Sequence, residues 1–239
     1  MATNTVAQSK ENQPATIFNV PDDYTLDIAQ DDIRMPAIIL LQKMSDIVEI
    51  EGRSWKAGDF YDMGSDEIVT KPFKAVVFDY HVTARLDGPK DPVTGRAEVE
   101  RFSSNGKEWD DTGLTIMPSE FKWTENGQFA KKSYHYLILR KGKKVPVVVS
   151  FKGASAKVAK TLNMHLTQLQ PAWRSYFSFQ SVKEESSGNK YHILKASPLP
   201  REYVEQDTAD LCNKFWTYHK TKTIVSPEMS NTPEDDPAY

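Results

Sequence analysis

One stretch of sequence decides the fold: Tyr134-His-Tyr-Leu-Ile-Leu-Arg140, then the turn Lys141-Gly-Lys-Lys144, then Val145-Pro-Val-Val-Val-Ser-Phe151. β-branched, aromatic and large apolar residues fill both outer segments, and the glycine of the basic turn suits a tight reversal. The pattern predicts two antiparallel strands joined by a hairpin.

Further elements flank this hairpin along the chain. Residues 155–169 repeat apolar side chains every three or four positions, which predicts a helix, and Pro171 ends it. Residues 174–183 and 191–196 are predicted strands, and residues 73–86 supply another strand ahead of the hairpin. The order is therefore three strands, a helix and two more strands.

This order predicts a mainly β fold with added helices. Five strands with a helix between strands three and four make an OB-fold-like antiparallel five-stranded barrel, an architecture used to bind oligonucleotides. A C-terminal helix is predicted at about residues 201–219, where Pro200 suits the start of a helix. We expect a single OB-like domain over residues 21–225, with an N-terminal embellishment and a core at about 73–196.

Charge is distributed unevenly along the chain. The 239 residues carry 30 Lys and Arg against 33 Asp and Glu, a net charge of −3. Residues 1–33 hold one base and six acids and residues 227–239 hold no base and four acids, so the body between them has 29 bases against 23 acids, or +6. We expect residues 1–20 to be a disordered arm and residues 226–239 an acidic disordered tail.

The composition favours an intracellular protein. Cys212 is the single cysteine, which excludes an internal disulfide and any multi-cysteine zinc site. No apolar run approaches the roughly 18 to 20 residues that a membrane span requires, and the N-terminus lacks a signal pattern. We expect a cytoplasmic protein without membrane contact, metal or cofactor.

Basic and aromatic residues are concentrated in the second half of the chain. Residues 122–183 contain twelve Lys or Arg and one acid, Glu125. Cations that hold phosphates, interleaved with rings that stack on bases, are the chemistry of single-stranded nucleic-acid binding. The candidate interface comprises Trp109, Trp123, Lys131, Lys132, Tyr134, Tyr136, Arg140, Lys141, Lys143, Lys144, Lys152, Trp173, Arg174 and Tyr176.

The centre of this prediction is one face of the first hairpin strand. Strand alternation places Tyr134, Tyr136 and Arg140 on that face, opposite Leu137 and Leu139, which are expected in the core. Two rings and a guanidinium on an open barrel face would form a stacking platform.

The basic OB-like domain, with its acidic tail ending in an aromatic residue, resembles phage and bacterial single-stranded DNA-binding proteins. The resemblance is architectural: it covers strand order over about residues 73–196 and the tail at 233–239, which ends in Pro-Ala-Tyr where phenylalanine is usual. It implies a non-catalytic, sequence-independent DNA-binding protein of phage replication or recombination, located in the cytoplasm of the infected host cell. It leaves open whether the protein also binds RNA and whether it forms a homodimer. It also implies a tail that recruits replication proteins and competes with DNA, through Glu234, Asp235, Asp236 and Tyr239.

Two alternatives remain. The chain could instead bind and modulate a polymerase or another host or phage enzyme through its tail and barrel. It could also be a metal-dependent nuclease that uses the acidic cluster Asp59, Asp62, Asp66 and Glu67. A solvated loop after Gly58 is the favoured explanation of that cluster. The five histidines lie singly, without the spacing of metal ligands.

Overall fold

A nine-stranded sheet is the main feature of the chain in a computed structural model. The structure describes residues 36–43, 45, 54–90, 97–122, 124, 128–169, 171–186 and 188–221, all within one compact unit, residues 34–239. Its strands are β1 (Ala37–Leu40), β2 (Phe60–Asp62), β3 (Glu67–Val69), β4 (Phe73–Lys90), β5 (Ala97–Ser103), β6 (Ala130–Arg140), β7 (Val147–Phe151), β8 (Ser175–Ser186) and β9 (Asn189–Tyr203). Two α-helices follow β7 and β9, namely α1 (Ala156–Gln168) and α2 (Gln206–Thr221), and short 3-10 helices lie at Pro118–Phe121, Gly153–Ser155 and Ala172–Arg174.

The strands lie in the order β3-β2-β1-β7-β6-β4-β8-β9, and β5 pairs with the far end of β4. All pairings are antiparallel except that of β1 with β7. The mainly β class, the hairpin of β6 and β7 and the helix between β7 and β8 are confirmed. The predicted C-terminal helix begins later than expected, at Gln206, because β9 continues through Tyr203.

The prediction of a five-stranded OB barrel is wrong. Residues before position 73 contribute three more strands, β1 to β3, and residues 97–103 contribute β5. β4 is 18 residues long and pairs with β6 along one edge and with β8 and β5 along the other. The result is an open nine-stranded sheet, because a pattern of alternating residues predicts strands but not whether their sheet closes.

β4 contains an irregularity that changes which face its side chains occupy. Val77 pairs with Ile138 and Asp79 pairs with Leu137, so Phe78 is an extra residue in a β-bulge. Simple alternation places Tyr80 on the same face as Phe78. The bulge moves Tyr80 to the opposite face, where it lies directly across from Tyr136.

Helices cover both faces of the central sheet. On one face, α1 packs Ala159, Leu162 and Leu166 into a cluster with Val77 and Tyr136. On the other face, α2 packs the buried Cys212 into a second cluster with apolar residues that include Val76, Phe78, Leu137 and Leu139. Burial of each such large apolar side chain stabilises the fold by about 1.5–3 kcal/mol. The central strands are therefore apolar on both faces.

A smaller cluster lies beside the far end of β4, around Trp109, Ile116 and Ala130. The indole of Trp109 donates a hydrogen bond to Glu120 at 3.0 Å, and the Arg101 guanidinium lies 4.7 Å from its ring centroid. In the part of the chain that the structure describes, neither helix has the length and apolar character to cross a membrane.

Candidate nucleic-acid interface

A groove opens along the part of the β4 edge that no described strand covers. β8 pairs with residues 73–75 of β4 and β5 pairs with residues 84–90, which leaves the bulged segment between them. α1, α2 and the 3-10 helix Ala172–Arg174 surround this segment. The groove has a volume of about 400 Å³. That is within the usual range for sites that take small molecules or single bases.

Aromatic rings line this groove. Tyr80 is 49% exposed, and one face of its ring stacks on Tyr136 with centroids 5.8 Å apart. Trp173 and Trp216, both half-buried, contribute rings whose centroids lie 5.9 Å apart. Phe78 is buried behind them. Each ring is held in place by packing on one of its faces and is partly accessible to solvent. Such rings can stack on bases.

One side of α1 forms a wall of the groove. Lys160, Asn163 and Thr167 recur at three- and four-residue spacing, so they share that side of the helix, and Asn163 and Thr167 line the groove. The Tyr136 hydroxyl donates to Asn163 Oδ1 at 2.6 Å and lies 3.0 Å from the Ala159 carbonyl oxygen. These contacts fix the wall against the sheet.

Cations lie on the strand and helices that border the groove, outside its lining. Burial lowers the pKa of Lys132 on β6, and the like charge of Lys160 lowers it further. Two cations this close, with Lys132 Nζ 4.4 Å from the Phe121 ring centroid, favour an incoming anion. On the α2 side, Lys220 Nζ lies 5.4 Å from the Trp216 ring centroid. Phosphates of a strand crossing the groove would meet cations before and after it.

The groove also contains a negative group. Asp79 lines it, and one carboxylate oxygen accepts the Tyr80 N–H at 2.9 Å. The nearby His219 does not neutralise this charge, because burial lowers the pKa of His219 and Asp79 opposes that shift only in part. An uncompensated carboxylate makes the interior of the groove suited to hydrogen-bond donors rather than to phosphates.

Three of the predicted stacking rings are buried, which corrects their role. Trp109, Tyr136 and Tyr176 are each at most 1% exposed. Tyr136 lies under α1, Tyr176 packs in the cluster beneath α2, and Trp109 fills the small cluster beside β5. The expectation that Tyr136 occupies an open face is wrong, because helices cover both sides of β6.

Several predicted phosphate-binding cations already have protein partners. Lys131 pairs with Asp87 at 3.0 Å, and Arg140 pairs with the buried Asp62. Lys141 Nζ lies 3.6 Å from Glu205 and 3.9 Å from Glu202. These contacts reduce the positive potential that those residues offer to DNA.

Other members of the predicted interface remain accessible. Lys143 and Lys144 are exposed in the turn after β6, and Arg174 is exposed with its guanidinium 6.0 Å from the Tyr203 ring centroid. Tyr134 and Lys152 are half-buried. Of the predicted interface residues, Trp173 lines the groove. Lys132 and Tyr134 lie towards one end of β6, outside the groove lining, and the Lys143–Lys144 turn lies beyond the other end of that strand. Trp123 and the tail residues Glu234, Asp235, Asp236 and Tyr239 lie outside the described residues.

The acidic cluster is divided among separate partners. Asp59 pairs with Lys71 at 2.8 Å, Asp62 pairs with Arg140, and Asp66 accepts a hydrogen bond from Tyr61 at 2.8 Å. Within the described part of the chain, no group of three or more His, Cys, Asp or Glu side chains is placed to hold a metal ion.

Sequence reasoning missed Asp79, Tyr80, Asn163 and Trp216, which line the groove, and Lys160 and Lys220 on the neighbouring helices. The bulge concealed Tyr80. Trp216 and Lys220 are four positions apart on α2, and Lys160 and Asn163 are three apart on α1. Such spacings mark a shared helix side. They could have been found by searching each predicted helix for aromatic and basic residues on one side.

Fold and groove together define a mainly β protein with an open sheet and an aromatic cleft that has cations on neighbouring helices. The chain belongs to the Pam3 phage gp34-like protein family, whose model matches residues 22–224. This family supports the phage origin that the sequence resemblance implied. Searches of curated proteins and of solved structures found no match.

Proposed function

We propose that this phage protein binds single-stranded DNA without catalysing a reaction on it, in replication or recombination. The observation that carries the proposal is the groove, in which Tyr80, Trp173 and Trp216 line one accessible cleft with cations on both sides. Stacking of a base on an aromatic side chain contributes about 1–3 kcal/mol, and all four bases can stack. Affinity is then mostly independent of sequence.

The shape of the groove favours single strands over duplex. Its rings are partly buried between two helices, so a base must leave its own stack to reach them. Unstacking a base costs little free energy in a single strand, whereas a duplex must first break a base pair. Lys132 and Lys160 would hold the phosphates on the α1 side, and Lys220 would hold those on the α2 side. Arg174, next to Trp173, extends this path.

The acidic tail adds a second element to the proposal. Residues 227–239 carry four carboxylate side chains and no base, and they follow α2, the helix that contributes Trp216 and Lys220 to the groove. A tethered anion competes with DNA at a high effective concentration. The same segment offers Tyr239 and its acidic neighbours to replication proteins.

The test is a fluorescence titration of the full chain with oligo-dT and with duplex DNA at two salt concentrations. Binding should quench tryptophan emission, favour the single strand, and weaken with a log–log salt slope of about −0.7 per neutralised phosphate. Equal affinity for duplex would contradict a stacking groove. No binding at low salt would favour the alternative of a protein that binds an enzyme, and magnesium-dependent cleavage of the oligonucleotide would favour the nuclease.

A further inference from the structure

Asp79 and Asn163 are polar side chains of the groove that stacking does not use. Asp79 comes from the β4 bulge, on the sheet face covered by α2, and Asn163 comes from α1 on the other face. They therefore flank the edge of β4 from opposite sides. Both side chains lie in the lining of the same groove as the rings.

The hydrogen bond from Tyr136 sets which atoms Asn163 can offer. A phenol carries one hydrogen, and the shorter of its two contacts is the 2.6 Å approach to Asn163 Oδ1. The amide oxygen is thereby engaged at the sheet, and the Nδ2 group remains as the donor of this side chain. Asn163 thus matches a ligand group that accepts a hydrogen bond, such as a carbonyl oxygen.

Asp79, in contrast to Asn163, matches a ligand group that donates hydrogen bonds. A carboxylate only accepts hydrogen bonds, and its two oxygens can take two parallel N–H donors. One oxygen accepts the Tyr80 N–H, and it retains a further lone pair. In the described residues, no Lys or Arg forms an ion pair with Asp79. The Asp79 carboxylate can therefore accept hydrogen bonds from N–H groups of a ligand in the groove.

Of the four DNA bases, guanine meets both requirements on one edge. Its O6 accepts a hydrogen bond, while N1–H and the N2 amino group donate two in parallel. Thymine offers one N–H between two carbonyls, and cytosine and adenine present a ring nitrogen acceptor where guanine has N1–H. We propose that the groove takes one guanine of the bound strand, with Asp79 accepting from N1–H and N2–H and Asn163 donating to O6. The inference rests on the proposed function and adds one preferred base to it.

The test compares 15-nucleotide oligo-dC strands that carry a single central guanine, inosine, thymine or adenine. Guanine should raise the affinity about tenfold over plain oligo-dC, in line with the discrimination that one bidentate pair provides. Inosine, which lacks the N2 amino group, should give a smaller gain, thymine a gain no larger than that of inosine, and adenine none. Neutral pH and a single guanine prevent self-association of the strands.

Two variants separate this inference from the proposed function. Asp79→Asn should bring the ratio of the affinity for the guanine-containing strand to that for plain oligo-dC down to about one, and Asp210→Asn, at an exposed position on α2, should leave that ratio at about tenfold. Binding of plain oligo-dC with no gain from guanine would overturn the guanine site and leave the proposed function standing. A guanine gain that survives Asp79→Asn would also overturn it. Failure of every strand to bind would overturn both.

Discussion

Tyr136 on β6 and Asn163 on α1 are joined by a 2.6 Å hydrogen bond from the phenol to the amide oxygen, beneath the wall of the groove. The ring of Tyr136 also packs edge-on against Phe151 and supports Tyr80 on its other side. One residue thus joins β6 to the helix, to the neighbouring strand and to the exposed ring that we propose stacks on DNA. Because Tyr136 is fully buried, it supports the groove and is not accessible to a ligand.

We expect Tyr136→Phe to lower the free energy of unfolding by about 1 kcal/mol, because it removes a buried hydrogen bond and keeps the ring. Tyr136→Ala should cost about 3–5 kcal/mol through the cavity it leaves. Urea denaturation measures both. If Tyr136→Ala proved as stable as the wild type, the buried position of this ring would be contradicted.

Alkaline pH should destabilise the protein through a second buried tyrosine. Burial raises the pKa of Tyr176 from 10.0 to about 12, and its hydrogen bond to Glu205 adds to the shift. The native state holds this proton more tightly than the unfolded chain does. The contribution to stability is therefore complete below pH 10 and is lost as the pH rises from 10 towards 12.

Tyr176→Phe is the matched variant for this prediction. It should flatten the decline of the unfolding free energy between pH 10 and 12, measured by urea denaturation at each pH. An unchanged decline would show that Tyr176 ionises alike in the folded and unfolded states.

The sequence predicted individual strands and helices better than it predicted which other elements pack against them. The β6–β7 hairpin and α1 follow from local residue patterns, and both are present at nearly the expected positions. Burial of Tyr136 does not follow from its own strand, because it depends on α1 lying over one face and α2 over the other. The bulge at Phe78 likewise has no local signal, although it decides which face Tyr80 occupies.

The cationic part of the site can be tested at Lys160. Lys160→Gln should weaken binding to oligo-dT and make the salt slope shallower by about 0.7, since one phosphate contact is lost. Lys190→Gln is the control, because Lys190 is an equally exposed cation on the β8–β9 hairpin. Equal effects of the two substitutions would indicate a general charge attraction rather than a defined path.

Deleting residues 227–239 should tighten binding to oligo-dT, because the deletion removes four acidic side chains that compete with DNA. The gain should be largest at low salt, where attraction between tail and domain is least screened. The same deletion should abolish pull-down of replication proteins. Unchanged affinity at low salt together with unchanged pull-down would show that the tail has neither role.

The most direct test of the account compares Tyr80→Ala with Tyr203→Ala in the affinity for oligo-dT. Both rings are exposed, at 49% and 65%, but only Tyr80 lines the groove. Loss of one stacked base costs about 1–3 kcal/mol, so Tyr80→Ala should weaken binding by roughly 5- to 150-fold, with little change in the salt slope. Tyr203→Ala should bind as the wild type does. Equal affinities for the two folded variants would contradict the claim that this groove holds the DNA.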